Sequence, residues 1–430
     1  MFNAKSYRDP SFRFPFQCIF LKINGSWPLE TTSKKFANCA ITKKNLFAFA
    51  YTFWSWYVII SVGITISFQV SFLVNHFGDI IVITENCCTT LMGVLNFIRL
   101  LHLRLNQKMF REIIRQFVSD IWIPDNTNVS ITKVCRKRMN TFRVMTILLS
   151  CLILMYCVLP LVDLFWGLDT EASEKPFPYK MQFPYNPYRN WMCYALTYFF
   201  TAYAGICVVT TLFAEDSIFG FFIAYTCAQF SLLHKRIDEL MAVTKKKVLT
   251  KDEFDKIQLE QVRELQYIAR KHNMIICFAK QLEDFFNPIL LVNLMISALL
   301  ICMVGFQLVT SKNMFIGDYI KFVVYISSAI SQLSILCGNG DMLIQHSTIT
   351  AWHLYNCKWE GVYQLPHNII PYTNKEFRTN LEFMIMCSQR PVRITACKFS
   401  TLSLQSFTAI LSTSMSYFTL LRSLFNDNEM

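Results

Sequence analysis

Residues 399–421 run 23 positions without a charge. At 1.5 Å per residue such a helix crosses a hydrocarbon core of ~30 Å. Yet the run carries Ser400, Thr401, Ser403, Gln405, Ser406, Thr408, Ser412, Thr413, Ser414, Ser416 and Thr419. That many polar groups are poor company for lipid tails, so the helix is expected to face protein or water. A water-lined pathway and a seam of small packing residues both fit, and the residues alone leave the choice open. Three charges inside other apolar runs are further candidates: Glu85, Arg99 and Asp163. Arg99 is expected to snorkel toward the nearer interface. Glu85 and Asp163 suit either the headgroup region or a negative outer vestibule that concentrates cations. No catalytic constellation accompanies them. GxSxG, HExxH and Gly-rich phosphate loops are missing, the seven His are dispersed, and the 16 Cys have neither CxxC nor Cys/His metal spacing. The chain reads as a non-enzyme with no cofactor.

The elements that must position these groups are membrane helices. Hydrophobic residues make up 53% of the 430 and charged residues only 16%, where a soluble chain carries about a quarter charged. Seven apolar spans are expected at about 47–74, 80–103, 144–164, 190–214, 285–311, 322–340 and 399–421. The fourth is expected to continue as a helix past Glu215 and Asp216 toward His234. Residues 1–45 hold no apolar run long enough for a signal peptide, so the first span is expected to direct insertion.

Charge sets the orientation. Of the 41 Lys and Arg, 34 lie in the segment before the first span and in the loops 2–3, 4–5 and 6–7. Six lie on the other side, and Arg99 lies within span two. The positive-inside rule then places the N-terminus in the cytoplasm and the C-terminus outside. The net charge of +12 is thus a membrane signature and not a nucleic-acid one. The sequons at Asn24 and Asn128 fall on the cytoplasmic side and are expected to carry no glycan. A G-protein-coupled receptor would have the opposite topology, and no DRY follows span three and no NPxxY sits in span seven.

Residues 1–46 read as a cytoplasmic segment. Between 232 and 284, Val262, Leu265, Ile268, Ile275, Ala279 and Leu282 recur near helical spacing, which extends helices four and five into the cytoplasm. Residues 169–190 are rich in Pro and Tyr and read as an ordered outer lid. Aromatic residues gather in the outer halves of the spans: Tyr156, Phe165 and Trp166 on span three, Tyr194, Tyr198, Phe199 and Tyr203 on span four, Tyr325 on span six. They suit an apolar pocket for a small ligand or an interfacial belt.

The ending carries a resemblance. QRP at 389–391, TACKF at 395–399 and SLQSFTAILSTSMSYFTLLRS at 403–423 resemble the C-terminal signature of insect odorant receptors, seven-helix ligand-gated cation channels. CGNGDMLIQHSTITAWHLYNCKW at 337–359 resembles that family's sixth helix and the segment after it. Cys397, where many members carry Gly, and Glu360, where an aromatic is common, depart from the pattern.

The resemblance implies an all-α membrane protein of seven transmembrane helices. It implies a pocket for a small volatile ligand in the outer half of the bundle, between spans two to six, with Tyr156, Trp166, Tyr198, Phe199 and Tyr325 as its candidate residues. Residues 399–425 become the pore-lining helix, with Leu420 and Leu424 on one face as the apolar gate and Ser423 at the pore mouth. Residues 232–284 become the anchor where subunits meet. The implied protein is a tuning subunit forming a heterotetramer with the odorant co-receptor in the plasma membrane of olfactory sensory neurons, passing cations and binding no nucleic acid. A metabotropic seven-helix chemoreceptor and a gustatory-receptor-like channel are the alternatives.

Overall fold

The computed structural model describes residues 14–28, 40–78, 80–123, 129–166, 176–241, 251–310, 316–364, 369–371 and 373–429. Seven helices of 26 residues or more dominate them: α2 (Ala40–Asn75), α3 (Ile80–Leu105), α5 (Val129–Trp166), α6 (Trp191–Glu239), α7 (Lys251–Thr310), α8 (Ile316–Tyr355) and α10 (Leu404–Glu429). Shorter helices α1 (Cys18–Ile23), α4 (Gln107–Gln116) and α9 (Lys375–Ser388) lie between them, with a π-helical turn after α4. The strands among the described residues form two small antiparallel hairpins, β1–β2 (Val362–Gln364 with Ile369–Pro371) and β3–β4 (Thr395–Ala396 with Ser400–Thr401). Among the described residues, α2, α5, α6, α7 and α8 are each long and apolar enough to cross a membrane. Of the seven long helices, α3 and α10 fall outside that set.

Apolar on every side, α6 takes the centre, as the physics of amphipathicity requires. It packs against α1, α2, α3, α5, α7 and α8, and most of its residues from Tyr194 to Ile237 are buried. At 49 and 60 residues, α6 and α7 span roughly 70 and 90 Å at 1.5 Å per residue, far more than a bilayer. Their overhanging ends stay paired. Arg236 makes an ion pair with Glu264 and lies 4.1 Å above the Tyr267 ring, and Val262, Leu265, Ile268 and Ile275 are buried between them and their neighbours.

Two expectations need correction. First, Arg99 does not reach an interface. It is 1% exposed and donates to Asp216 Oδ1 at 2.9 Å, with Glu215 Oε2 at 3.6 Å. Gln332 Nε2 on α8 donates to the other Asp216 oxygen at 2.7 Å. Because α6 continues unbroken past residue 214, it sets two carboxylates beside the guanidinium, and a paired cation has no need to snorkel.

The segment before α2 packs on α6 through α1. Phe20 meets Phe213 edge-on at 5.1 Å, and Leu21 is fully buried against α6. Asn24, 4% exposed, donates to Thr210 Oγ1 at 3.0 Å and Thr211 Oγ1 at 2.9 Å. A side chain so engaged is no glycan acceptor whichever side it faces; Asn128 lies outside the described residues.

Rings also pack where α4 and the π-helical turn meet α6 and α7. Phe117 lies within 6.0 Å of Phe221, Phe222, Tyr225 and Phe278, and Phe110 stacks on Phe285 at 5.3 Å.

Second, the last helix begins at Leu404 and not at 399. Cys397 and Lys398 adopt φ of 49° and 57°, the left-handed turn of the β3–β4 hairpin. Leu402 N–H donates to Ile394 O at 2.8 Å. Ser403 Oγ then accepts from Ser406 N–H at 3.3 Å, an N-cap interaction that starts the helix. Several hydroxyls of the run thus serve turn and cap. The hairpin sits on α8 through Gly340, where an added Cβ would fall 2.2 Å from the Leu402 carbonyl oxygen.

Candidate ligand cavity and pore helix

An apolar cavity of about 60 Å³ lies between α2, α3, α5, α6 and α8 and is closed at one end by Tyr179 from the loop before α6. Ile66 and Gln69 come from α2, Met92 and Gly93 from α3, Ile153 and Tyr156 from α5, Val208 and Val209 from α6, and Tyr325 from α8. Its wall includes α2, which the resemblance did not assign to the pocket, and no residue of α7. Helical periodicity explains the set. Gln69, Ile66, Thr65 and Val62 fall on one face of α2, as do Val209, Val208, Gly205 and Ala204 on α6.

The aromatic candidates separate. Tyr156 and Tyr325 line the cavity, and the Tyr325 hydroxyl donates to Cys88 O at 2.9 Å. Tyr198 does not line it. Its hydroxyl donates to Cys157 O at 2.6 Å, and its ring belongs to a cluster with Phe177 and Tyr194 that ties α6 to α5 under the loop. Phe199 is 72% exposed and points out of the bundle, because neighbours on a helix lie 100° apart and Tyr198 already takes the inner side. The side chain of Trp166 lies outside the described residues, as do those of Phe165 and Asp163.

Tyr179, on the loop before α6, is a cavity-lining residue that periodicity does not reveal. It stacks on Tyr156 with centroids 5.5 Å apart and ring planes at 28°, and burial raises its phenol above the ordinary range, so it is neutral. The sequence offers one signal for it, Gly205 in a helix interior. Glycine there is unfavourable and marks close approach by another group. The loop is held on either side of Tyr179: Tyr194 donates to Pro176 O at 2.6 Å, and Gln182 N–H to Phe68 O at 3.1 Å. Glu85 pairs with Lys180 at 2.6 Å, so this carboxylate is neutralised by the loop in the single chain.

On α10 two faces differ. Phe407, Ile410, Leu411, Phe418 and Leu421 are half-buried, and Ser414 donates to Ala298 O on α7 at 3.0 Å. The other face presents Gln405, Thr408, Ser412, Thr413, Ser416 and Thr419 uncovered, with Leu420 55% exposed and Ser423 exposed. Leu424 continues the helix; its side chain lies outside the described residues.

Known proteins share this architecture. The solved structure of the insect olfactory receptor OR5 from Machilis hrabei in complex with eugenol superimposes with a TM-score of 0.74 at 16% identity, covering 95% of this chain and 97% of that one. A second structure of the same receptor gives 0.73. Odorant receptor 13a of Drosophila melanogaster is 60% identical over 99% of this chain and 98% of its own length. Odorant receptor 85c of the same fly is 27% identical over 60% of each. The family described as 7tm Odorant receptor matches residues 79–415. Its members are chemoreceptors and not enzymes, and the fold is that of an all-α, multi-pass membrane protein. This chain belongs to the 7tm odorant receptor family.

Proposed function

We propose that the chain is a tuning subunit that binds a small volatile ligand in the α2–α3–α5–α6–α8 cavity and gates a nonselective cation pore lined by α10. The observation that carries the reading is the division of α10: apolar residues cover α7 and α8, and a row of hydroxyls is left for an aqueous pathway. Leu420 and Leu424 would close that pathway by dewetting, with Ser423 at its mouth. Full-length similarity to Odorant receptor 13a supports the tuning role, and the eugenol complex of the Machilis hrabei receptor supports a small, largely apolar ligand.

The mechanism is a population shift. A ligand in the cavity presses on Tyr325 of α8 and Met92 of α3, and both helices pack on α7, which carries α10. It opens the pore only to the extent that it binds the open arrangement more tightly than the closed one. The subunit would act as a heterotetramer with the odorant co-receptor in the plasma membrane of olfactory sensory neurons. Its N-terminus would lie in the cytoplasm and the overhanging ends of α6 and α7 would join subunits there.

The test is electrical. Co-expressed with the co-receptor in cells treated to block G-protein signalling, the chain should give cation current within milliseconds of a volatile that a panel screen finds active. Current that lags by seconds and disappears with the block would instead establish a metabotropic receptor.

A further inference from the structure

Above the cavity lies a second, larger chamber of about 320 Å³, walled by Glu85, Pro160, Phe177, Lys180, Asp318 and Lys321. The two chambers share three walls, Thr89, Tyr156 and Tyr179. The Tyr179 ring lies against Tyr156 at the boundary. Its hydroxyl reaches the backbone of α6, where a Cβ built on Gly205 would stand 2.0 Å from the phenol oxygen and 2.9 Å from Cζ. Only glycine at 205 lets the ring seat this deeply. One residue on, Lys180 Nζ meets Glu85 at 2.6 Å across the rim of the chamber.

We propose that Tyr179 is the admission gate of the ligand cavity and a determinant of which molecules enter it. In this view, which rests on the cavity being the ligand site, a molecule arriving from the outer aqueous face collects in the upper chamber and displaces the Tyr179 ring. Gly205 supplies the seat of the closed gate. The Lys180–Glu85 pair holds the loop that carries the ring. The Pro176 carbonyl and Gln182 stay fixed by their bonds to α6 and α2, so the motion is confined to the turn about Tyr179. Because the pair is partly solvated, its hold is worth only a few-fold in the closed-to-open ratio. The ring and its seat are worth more, since they fill the passage itself.

The experiment needs no active odorant. Val208→Cys sets a thiol in the lower cavity, and Ala204→Cys, which adds a single sulfur to another lining position, provides a second site if the first disturbs folding. Intact cells expressing the full chain with the co-receptor are exposed to iodoacetamide, and alkylation at that position is timed by mass spectrometry. Adding Glu85→Gln should speed alkylation about two- to five-fold. Gly205→Ala and Tyr179→Ala should each speed it further, and the charge exchange of Glu85→Lys with Lys180→Glu should return it to the starting rate. Equal rates in all these backgrounds would overturn the gate and leave a route through the bilayer. Gate-dependent alkylation in a chain that never conducts would retain the gate and sink the receptor reading; odorant-gated current with gate-independent alkylation would do the reverse.

Discussion

Arg99 and Asp216, 117 positions apart in the chain, meet at 2.9 Å inside the bundle. Glu215, next to Asp216 on α6, brings a second carboxylate to 3.6 Å of the same guanidinium, and Gln332 completes the set from α8. Ions are costly inside a membrane unless paired. The network therefore favours one rotation of α3 against α6 and α8, the helices that also wall the cavity.

Arg99→Met should leave two carboxylates buried without a cation, a loss of about 3–5 kcal/mol by the behaviour of broken buried pairs. Surface biotinylation should show a drop of roughly tenfold or more. Adding Asp216→Asn should recover part of it. If Arg99→Met reached the surface and melted like the parent chain, the network would have no structural role.

The cavity lining gives a contrast within the aromatic set. Tyr156→Ala and Tyr325→Ala remove rings that face the cavity and should shift odorant dose–response curves about tenfold or more, in line with losing aromatic contact and opening a void. Phe199→Ala, facing outward, should leave the curves in place. The reverse ranking, at matched surface expression, would move the ligand away from this cavity.

At the pore helix polarity should matter more than size. Leu420→Thr or Leu424→Ser should raise the holding current before odorant is applied, because a polar ring wets. Leu420→Met, apolar and of similar volume, should stay closed. Polar variants as silent as the parent, yet opening normally to odorant, would remove these leucines from the gate.

The hairpin before α10 should respond in opposite directions to two substitutions involving glycine. Cys397 holds a φ of 49°, a conformation that costs a side-chain-bearing residue about 1–2 kcal/mol and glycine almost nothing. Cys397→Gly should therefore raise the melting temperature of the detergent-solubilised chain slightly. Gly340→Ala forces a Cβ to 2.2 Å from the Leu402 carbonyl and should lower it while reducing odorant-evoked current. Unchanged melting for both would mean that the hairpin does not bear on stability.

Local physics makes the membrane helices legible in the amino-acid order. Long apolar runs and their polar borders specify them, since hydrocarbon forbids unpaired backbone, and the 389–423 ending carries the family. Periodicity likewise marks the overhanging end of α7. Which side of each helix faces what is a matter of packing between distant segments. Two adjacent residues such as Tyr198 and Phe199 are equivalent by composition, and only the neighbours of α6 turn one inward and the other out. The same holds for Arg99, whose partners lie more than a hundred residues away. Tyr179 enters the site from a loop without periodicity, so only packing against Gly205 and Tyr156 could place it there.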